Sequence, residues 1–565
     1  MAKKSRSVYD SFGYEQINGN WYYGKTEYDA SSKSYEFVKY GRYIAIERVS
    51  IDMDGGSPIL TIVYETLDGE TKSICVEKSL LSKKRELQSL LLQGDADAHD
   101  GGMKALLHCL HISEESATRG RCYHRTGWQP GEKLAFKGKT LIDGTPSGSS
   151  VEYAGSYDLT KKGTFAAWKD MVKNEILGNA PLELAILVGL SSIISSKWGA
   201  RNLIFHFMGD SGTGKTTSAI LALSTVGCPN PAETAKNVGV DGKPLRTLMS
   251  SWKGTSNALI GKLDGLDGTL MVFDELSKIE DDRVRTSTIY ALSDGADKDR
   301  MASPTELQTT NQIRTNILSL GEESLLERAK SKNSGINVRV CEISAAFTTS
   351  AEQSEEIVRS CYANYGHAGA EFVRYIVENL SHECVADLRE QNLDEFEAAL
   401  VNGGCQSKTP RRLAEFGAIL LTVADIAKKA LKLKFSRQKI IDFLVDQQVN
   451  SDSNTEIGLR AHAALKGFVT KNAANFVVGE CKSWNKSIPC YGKIELNGSG
   501  AMCEVAIEIN QFAQIMDQLH FPNPSLVIQQ LKSHGLLNYE AKKNYRKRTL
   551  ISDVGVVRVY AIKFP

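Results

Sequence analysis

Long apolar runs are what this sequence most plainly lacks. No stretch of about 18 residues is uninterruptedly apolar, which argues against a membrane-spanning helix. The opening residues, MAKKSRSVYDSFGYEQ, are basic but lead into polar and aromatic residues instead of an apolar core, so they do not read as an export signal. The expected setting is the cytoplasm, with no membrane partner. Also missing is any CxxC pair or close Cys/His set. The 11 cysteines are scattered, which excludes the common tetrahedral zinc modules and fits reduced thiols. Cys481, Cys490 and Cys503 come nearest to a cluster, at spacings better suited to buried core thiols than to a metal. The formal net charge is only +1, and such a balance conceals local basic faces as readily as it reflects none. Internal repeats and low-complexity tracts are absent.

What remains is an ordinary globular composition spread over 565 residues, too many for one core and enough for about three to four domains. Residues 1–156 read as a β-rich domain. NWYYGKTEY, YEFVKYGRYIAIERVSIDM and PILTIVYETL alternate apolar and polar residues, with one helical insertion near KKRELQSLLLQ. Residues 157–350 open with helical spacing. APLELAILVGLSSIISSKWG is apolar nearly all round and is therefore predicted to be buried. Apolar strands then alternate with helices, the pattern of an α/β layer with a mostly parallel sheet. Long amphipathic helices over 351–474 suit a helical lid, and 475–565 mixes strands with two short helices.

The strand NLIFHFM runs directly into GDSGTGKTT, which satisfies GxxxxGK[ST] between a predicted strand and a predicted helix. In such a loop Gly209, Asp210, Ser211, Gly212, Thr213 and Gly214 turn backbone N–H groups toward phosphate oxygens. Lys215 reaches the outer phosphates, Thr216 ligates Mg2+, and Thr217 continues the cradle. The nucleotide would be ATP. Downstream, GTLMVFDELSK is an apolar strand ending in Asp274 and Glu275. The first acid is placed to hold the metal's water shell, and the second to polarise an attacking water as catalytic base. IRTNILSLGEESL reads as a third strand whose exit, with Ser319 and Glu322, could present polar groups to that water; a plain strand exit explains it equally well. Arg339 in NVRVCEI is either an edge-strand surface residue or an arginine aimed at a neighbouring subunit's phosphate. Arg411 and Arg412 open a lid helix from which one could reach the nucleotide or pair with another helix.

This arrangement resembles the AAA+ ATPases, and within them the minichromosome-maintenance-like branch. YHRTGW, GDSGTGKTT, SSWKGTSNAL, FDELSK, SDGADKDR, LSLGEESL and VRVCEIS, in that order, are similar to the helicase-like proteins of bacterial mobile elements, which include the self-loading helicases of staphylococcal cassette chromosomes. The resemblance runs from Tyr123 to the C-terminus. It implies a P-loop AAA+ core with helical lid in a hexameric ATP-driven helicase, with Arg339 as arginine finger and Arg411 or Arg412 as second sensor. Two departures stand out. The run from Asn257 to Asp274 is too short for the branch's long helix-2 insert, and Glu322 stands where the branch carries a sensor asparagine.

Two segments bear on what the ATP moves. Lys298 and Arg300, between the acidic strand and the third strand, read by themselves as an ordinary solvated loop; the resemblance implies that they begin a hairpin projecting toward a ring's centre, where positive charge tracks a single strand. At the C-terminus, QFAQIMDQL, a proline turn, SLVIQQLKSHGLL and a two-stranded ribbon read as a winged helix. Its wing carries Lys542, Lys543, Arg546, Lys547 and Arg548, a set suited to duplex phosphates. The reading is therefore a replicative DNA helicase, with single-stranded DNA in the ring and the N-terminal domain handling loading or replication partners. A DNA-binding initiator or remodeller that hydrolyses ATP without unwinding shares every motif.

Overall fold

The computed structural model describes residues 11–145, 151–239, 244–278, 282–295, 301–303, 306–307, 313–328, 336, 338–405, 407, 410–454, 457–479, 484, 489–519, 521, 524–540, 543–550 and 555–564. At the N-terminus β1 (Ser11–Ile17), β2 (Asn20–Asp29) and β3 (Ser34–Arg42) form an antiparallel sheet. β4 (Ile44–Asp52), β5 (Ile59–Glu65) and β6 (Thr71–Glu77) continue the meander, followed by helices α1 (Lys84–Gln93) and α2 (Met103–Ser116). Only α1 corresponds to the single insertion read from the sequence. α2 is a second helix, whose Met103, Leu106 and Leu110 are spaced to one face and buried with Tyr23, Ile44 and Leu60. β7 (Thr118–Tyr123) then joins β4 in parallel.

β8 (Gly127–Trp128), β9 (Phe136–Lys137) and β10 (Leu141–Ile142) make a small separate sheet, and β11 (Val151–Tyr153) pairs with β7. Tyr123, Phe136, Leu141 and Tyr153 are buried not with the N-terminal sheets but in the large core that follows. That core is organised on α4 (Ala180–Trp198), reached through the short α3 (Phe165–Met171). By length and hydropathy α4 could cross a membrane, which corrects the expectation that no stretch is long and apolar enough. Its apolar window is 78% buried inside the protein, as its all-round apolar character predicts. Asn179 caps its N-terminus by accepting from the Leu182 N–H at 3.3 Å.

β12 (Ile204–Met208), α5 (Lys215–Ser224), α6 (Pro231–Thr234), β13 (Met249–Ser251), α7 (Ser256–Gly261), β14 (Met271–Asp274), α8 (Asp282–Asp294), a hairpin of β15 (Met301–Ser303) and β16 (Glu306–Leu307), β17 (Ile317–Gly321), α9 (Leu325–Arg328) and β18 (Val340–Ser344) follow. Five of these strands form one sheet of order β13-β14-β17-β12-β18, every pair parallel. All five C-terminal ends therefore share one edge, where open α/β sheets hold ligands. The strands are buried on both faces and read as nearly continuous apolar runs for that reason.

The helices α10 (Ala351–Ala363), α11 (Ala368–Asn379), α12 (His382–Asn402), α13 (Pro410–Ala430) and α14 (Arg437–Asn454) form the helical region, with α12 and α13 packed along their lengths and α13 and α14 against α4. The C-terminal unit has its own core. α15 (Ile457–Lys471), β19 (Phe476–Val478), β20 (Gly492–Leu496), β21 (Met502–Glu508), α16 (Ile509–Gln518), α17 (Pro524–Ser533), β22 (Leu537–Asn538), β23 (Arg546–Thr549) and β24 (Val556–Lys563) build a helix-turn-helix backed by a sheet. The fold is thus a P-loop α/β core with β-rich N-terminal sheets, a helical region and a C-terminal winged helix.

One fully buried carboxylate ties the helical region to the core. Glu183 on α4 accepts from the Gly178 N–H at 2.7 Å, and from the Ser436 N–H at 2.8 Å and hydroxyl at 3.2 Å at the start of α14. Glu183→Ala removes the acceptor shared by three part-buried donors, so it should cost about 2 kcal/mol. Glu183→Gln, which keeps an acceptor oxygen, should cost about half as much, and a urea titration of both variants distinguishes the two outcomes.

Candidate functional site

The phosphate loop leaves the end of β12 and delivers the chain into α5. Gly209 (φ 150°), Gly212 (φ 83°) and Gly214 (φ 83°) take conformations that favour glycine. At Gly214 a Cβ would also lie 2.5 Å from the Thr348 hydroxyl and 2.9 Å from its backbone nitrogen, so no other residue fits without moving backbone. The loop is braced from the end of β18: the Phe347 N–H donates to the Thr213 carbonyl at 2.8 Å, and the Phe347 ring stacks on Phe207 with centroids 4.6 Å apart. α5 has no side-chain cap, so its first N–H groups face the loop mouth with a positive helix end behind them. The Lys215 ammonium is held over the loop by the Gly209 and Asp210 carbonyls, both at 2.7 Å. Asp210, Ser211 and Thr216 are exposed. Thr217 is not on this face: its hydroxyl is buried 2.5 Å from that of Ser354 on α10, which leaves only its backbone N–H for a phosphate.

Asp274 ends β14, one strand away from β12. Its carboxylate accepts from the N–H of Glu275 at 2.7 Å, and Glu275 is exposed with φ 60°, a left-handed conformation rare outside glycine. Backbone strain of this kind, about 1–3 kcal/mol, concentrates at functional sites. It turns Glu275 sharply out of the strand at the edge shared with the phosphate loop. Among the described residues no group of three or more metal-ligating side chains gathers anywhere, and Cys481 lies outside them. A cation at this edge would have two protein oxygens, from Thr216 and Asp274, and would depend on phosphate oxygens for the rest, which is how Mg2+ is commonly held.

β17 lies between these two strands, with Ser319 in register with His206 on one side and Phe273 on the other. Ser319 does not face the reacting edge as expected; it is fully buried in mid-strand. Its hydroxyl accepts from the Trp252 indole N–H at 3.0 Å and lies 2.9 Å from His206 Nδ1, while His206 Nε2 lies 2.9 Å from the Glu323 carbonyl. A carbonyl only accepts, so Nε2 carries the proton and Nδ1 accepts from Ser319. Trp252, Ser319 and His206 thus form a directed chain that ends on the turn carrying Glu322, which is exposed at the same edge. The other side of this turn is fixed by Glu342 on β18, which accepts from the Ser324 hydroxyl at 2.8 Å and the Leu326 N–H at 2.9 Å. His206, Trp252 and Glu342 were not singled out in the sequence, where a histidine in an apolar strand and a tryptophan in a polar turn give no sign of their partners.

The arginines fall elsewhere. Arg339 pairs within its own subunit, with Asp294 at 3.1 Å and over the Tyr290 ring at 4.6 Å, which takes it out of the finger role. Arg411 is held by Glu390, Asp394 and Glu397 of α12, the interhelical pairing and not a nucleotide contact. Arg412 is exposed and close enough to Arg201 that, after burial and Arg339, it helps push that guanidinium below its ordinary value. Arg201 and Arg339 precede β12 and β18, so this group sits at the opposite edge of the sheet from the phosphate loop, and Arg412 is not a sensor for its own subunit's nucleotide.

On the wing, the segment's lack of acids is offset by the fold. Arg548 pairs with Glu495 at 3.0 Å and Glu504 at 2.6 Å, Arg546 donates to Asn538 at 2.8 Å, and Lys543 meets Glu540 at 3.3 Å. β23 alternates, so Arg546 and Arg548 turn inward while Lys547 is exposed. Lys298, Arg300 and Lys542 lie outside the described residues.

Burial lowers the pKa of His206 from its ordinary 6.5, consistent with the neutral tautomer that the hydrogen bonds require. Its contribution to stability is therefore intact above about pH 6.5 and lost as pH falls below that value, where the unfolded chain takes up a proton the folded one resists. His206→Asn should flatten this acid limb in a series of thermal melts from pH 8 to 5.

Residues 14–312 match the family described as a domain of unknown function, DUF927, and residues 456–565 match the Cch helix turn helix domain. No curated protein matches the chain in sequence. Among solved structures, one titled "SCCmec type IV Cch - active helicase" is similar over 99% of this chain and 98% of that one, with a TM-score of 0.68 at 24% identity.

Proposed function

The chain belongs to the DUF927 family, and from that premise we propose that it is an ATP-driven DNA helicase, working as a hexameric ring that translocates on single-stranded DNA. The observation that carries this reading is the end-to-end fold likeness to the protein titled an active helicase, from N-terminal sheets to winged helix. Its chemistry rests on the shared sheet edge. Lys215 exchanges the Gly209 and Asp210 carbonyls for the outer phosphates of ATP, and the α5 N–H groups receive the remaining phosphate oxygens. Thr216 and Asp274 would hold Mg2+, which supplies charge neutralisation across the phosphates. Glu275 orients and polarises the attacking water, and Glu322 borders the same position from the turn that the His206 chain holds in place.

DNA contact is assigned to two places. The helix-turn-helix of α16 and α17 with the exposed Lys547 suits a duplex, since Arg546 and Arg548 are engaged inside the unit. The hairpin of β15 and β16 suits a strand within the ring. In a hexamer the group around Arg412 lies on the far edge from its own nucleotide, so any arginine it supplies is supplied to a neighbour.

Lys215→Ala should abolish unwinding of a forked duplex, and strand displacement equal to wild type would refute the reading. Glu275→Gln should keep ATP binding within about threefold while lowering hydrolysis at least about 100-fold, a split read by a filter-binding assay beside phosphate release. DNA-stimulated hydrolysis by the wild type with no displacement would instead identify an initiator or remodeller.

A further inference from the structure

A second cavity lies away from the phosphate loop, on the outer side of β13. It has a volume of about 340 Å³ and is lined by Tyr157, Thr234, Arg246, Thr247, Ser250 and Lys262 among others. Two cations and several hydroxyls meet there, and no carboxylate lines it among the described residues. The neighbouring acids are committed elsewhere: Glu233 to Lys162 at 3.0 Å, and Asp264 to Arg125 at 3.3 Å.

Three details show that the cavity is built and is not merely a surface dent. Arg246 is laid over the Tyr157 ring at 5.2 Å, and the Tyr157 hydroxyl is itself fixed on the Lys262 carbonyl. The Lys262 ammonium donates once, to the Ser251 carbonyl at 3.1 Å, leaving further N–H donors. Burial, and then the nearby Arg246, pull Lys262 below its ordinary pKa, the mark of a cation whose repulsion is not answered by a carboxylate. The third detail is the Thr234 hydroxyl, which, on a residue only 1% exposed, has no hydrogen-bond partner among the described residues. A buried polar group is normally satisfied, and this one belongs to a residue that lines the cavity together with the two cations.

We propose that this cavity is a second anion site, which takes a phosphoryl group between Arg246, Lys262 and the Thr234 hydroxyl. Such a group belongs either to a free polyphosphate or nucleotide, or to the backbone of a DNA strand; the donors are the same for both. The site adjoins the motor, because β13 pairs with β14 so that Ser251 faces Asp274 and the Trp252 N–H donates to the Asp274 carbonyl at 3.0 Å.

The test uses the full chain carrying Lys215→Ala, which silences the phosphate loop. Sodium pyrophosphate is titrated by calorimetry and a twelve-nucleotide oligothymidine by fluorescence anisotropy. At least one probe should bind saturably, and adding Arg246→Ala with Lys262→Ala should weaken it about tenfold or more. Thr234→Val should weaken it about threefold without lowering the melting temperature, because valine preserves volume and removes only an unpaired hydroxyl. Loss confined to pyrophosphate identifies a polyphosphate site. Loss confined to the oligonucleotide, with the salt dependence of binding falling by about one to two phosphates, identifies a strand contact. If neither probe responds to the double substitution, the proposal is overturned. Hydrolysis without unwinding would refute the helicase reading and leave this titration unchanged.

Discussion

The buried chain from Trp252 through Ser319 to His206 and the Glu323 carbonyl is the interaction on which the reactive edge depends. It crosses the strand that separates the phosphate loop from the acidic pair, and every polar atom in it has a defined direction. In a medium that excludes water, an unpaired donor costs more than a made bond returns, so this chain admits one arrangement of its turn and penalises others. Glu342 closes the turn from the other side. Glu322 is thereby carried on a segment fixed at both ends, at the same sheet edge as the strained Glu275.

That chain has meaning only because the sheet order is β13-β14-β17-β12-β18. Were β12 and β14 direct neighbours, no strand would lie between the lysine and the acids, and Ser319 could not bridge Trp252 and His206. The same order brings Phe347, which braces the phosphate loop and follows β18 by three residues, beside β12. Asn179, at the start of the buried helix α4, donates to the Phe347 carbonyl at 3.0 Å. The phosphate loop and Glu183, which anchors the start of α14, are thus linked through α4.

Much of this was legible in the residues. GDSGTGKTT and FDE each carry their own chemistry in a short span, and the all-apolar APLELAILVGLSSII could only be buried. The arginines were not legible, because an arginine's role is set by which acid the fold brings to it. Asp294 lies 45 residues from Arg339 in sequence, and the three acids that hold Arg411 sit on a different helix. The wing is similar: of five basic residues within seven, Arg548 is held by Glu495 and Glu504 and Lys543 meets Glu540, pairings that its own segment gives no sign of. Ser319 was identified as polar and near the site, but its side of the strand follows from a register that no local pattern specifies. The second helix of the N-terminal region was hidden because its apolar spacing follows directly on a turn-rich stretch.

If the chain works as the ring motor proposed above, its nucleotide edge is completed by the Glu322 turn and its channel holds DNA. Electron cryomicroscopy of the full chain with a slowly hydrolysed ATP analogue, Mg2+ and single-stranded DNA tests it most directly. The expected result is a closed ring of six with the strand in its channel, Lys215 moved from the loop carbonyls onto the phosphates, and the Glu322 turn beside them. Monomers with nucleotide bound away from the 209–216 loop, or DNA carried only on the outer surface, would contradict it.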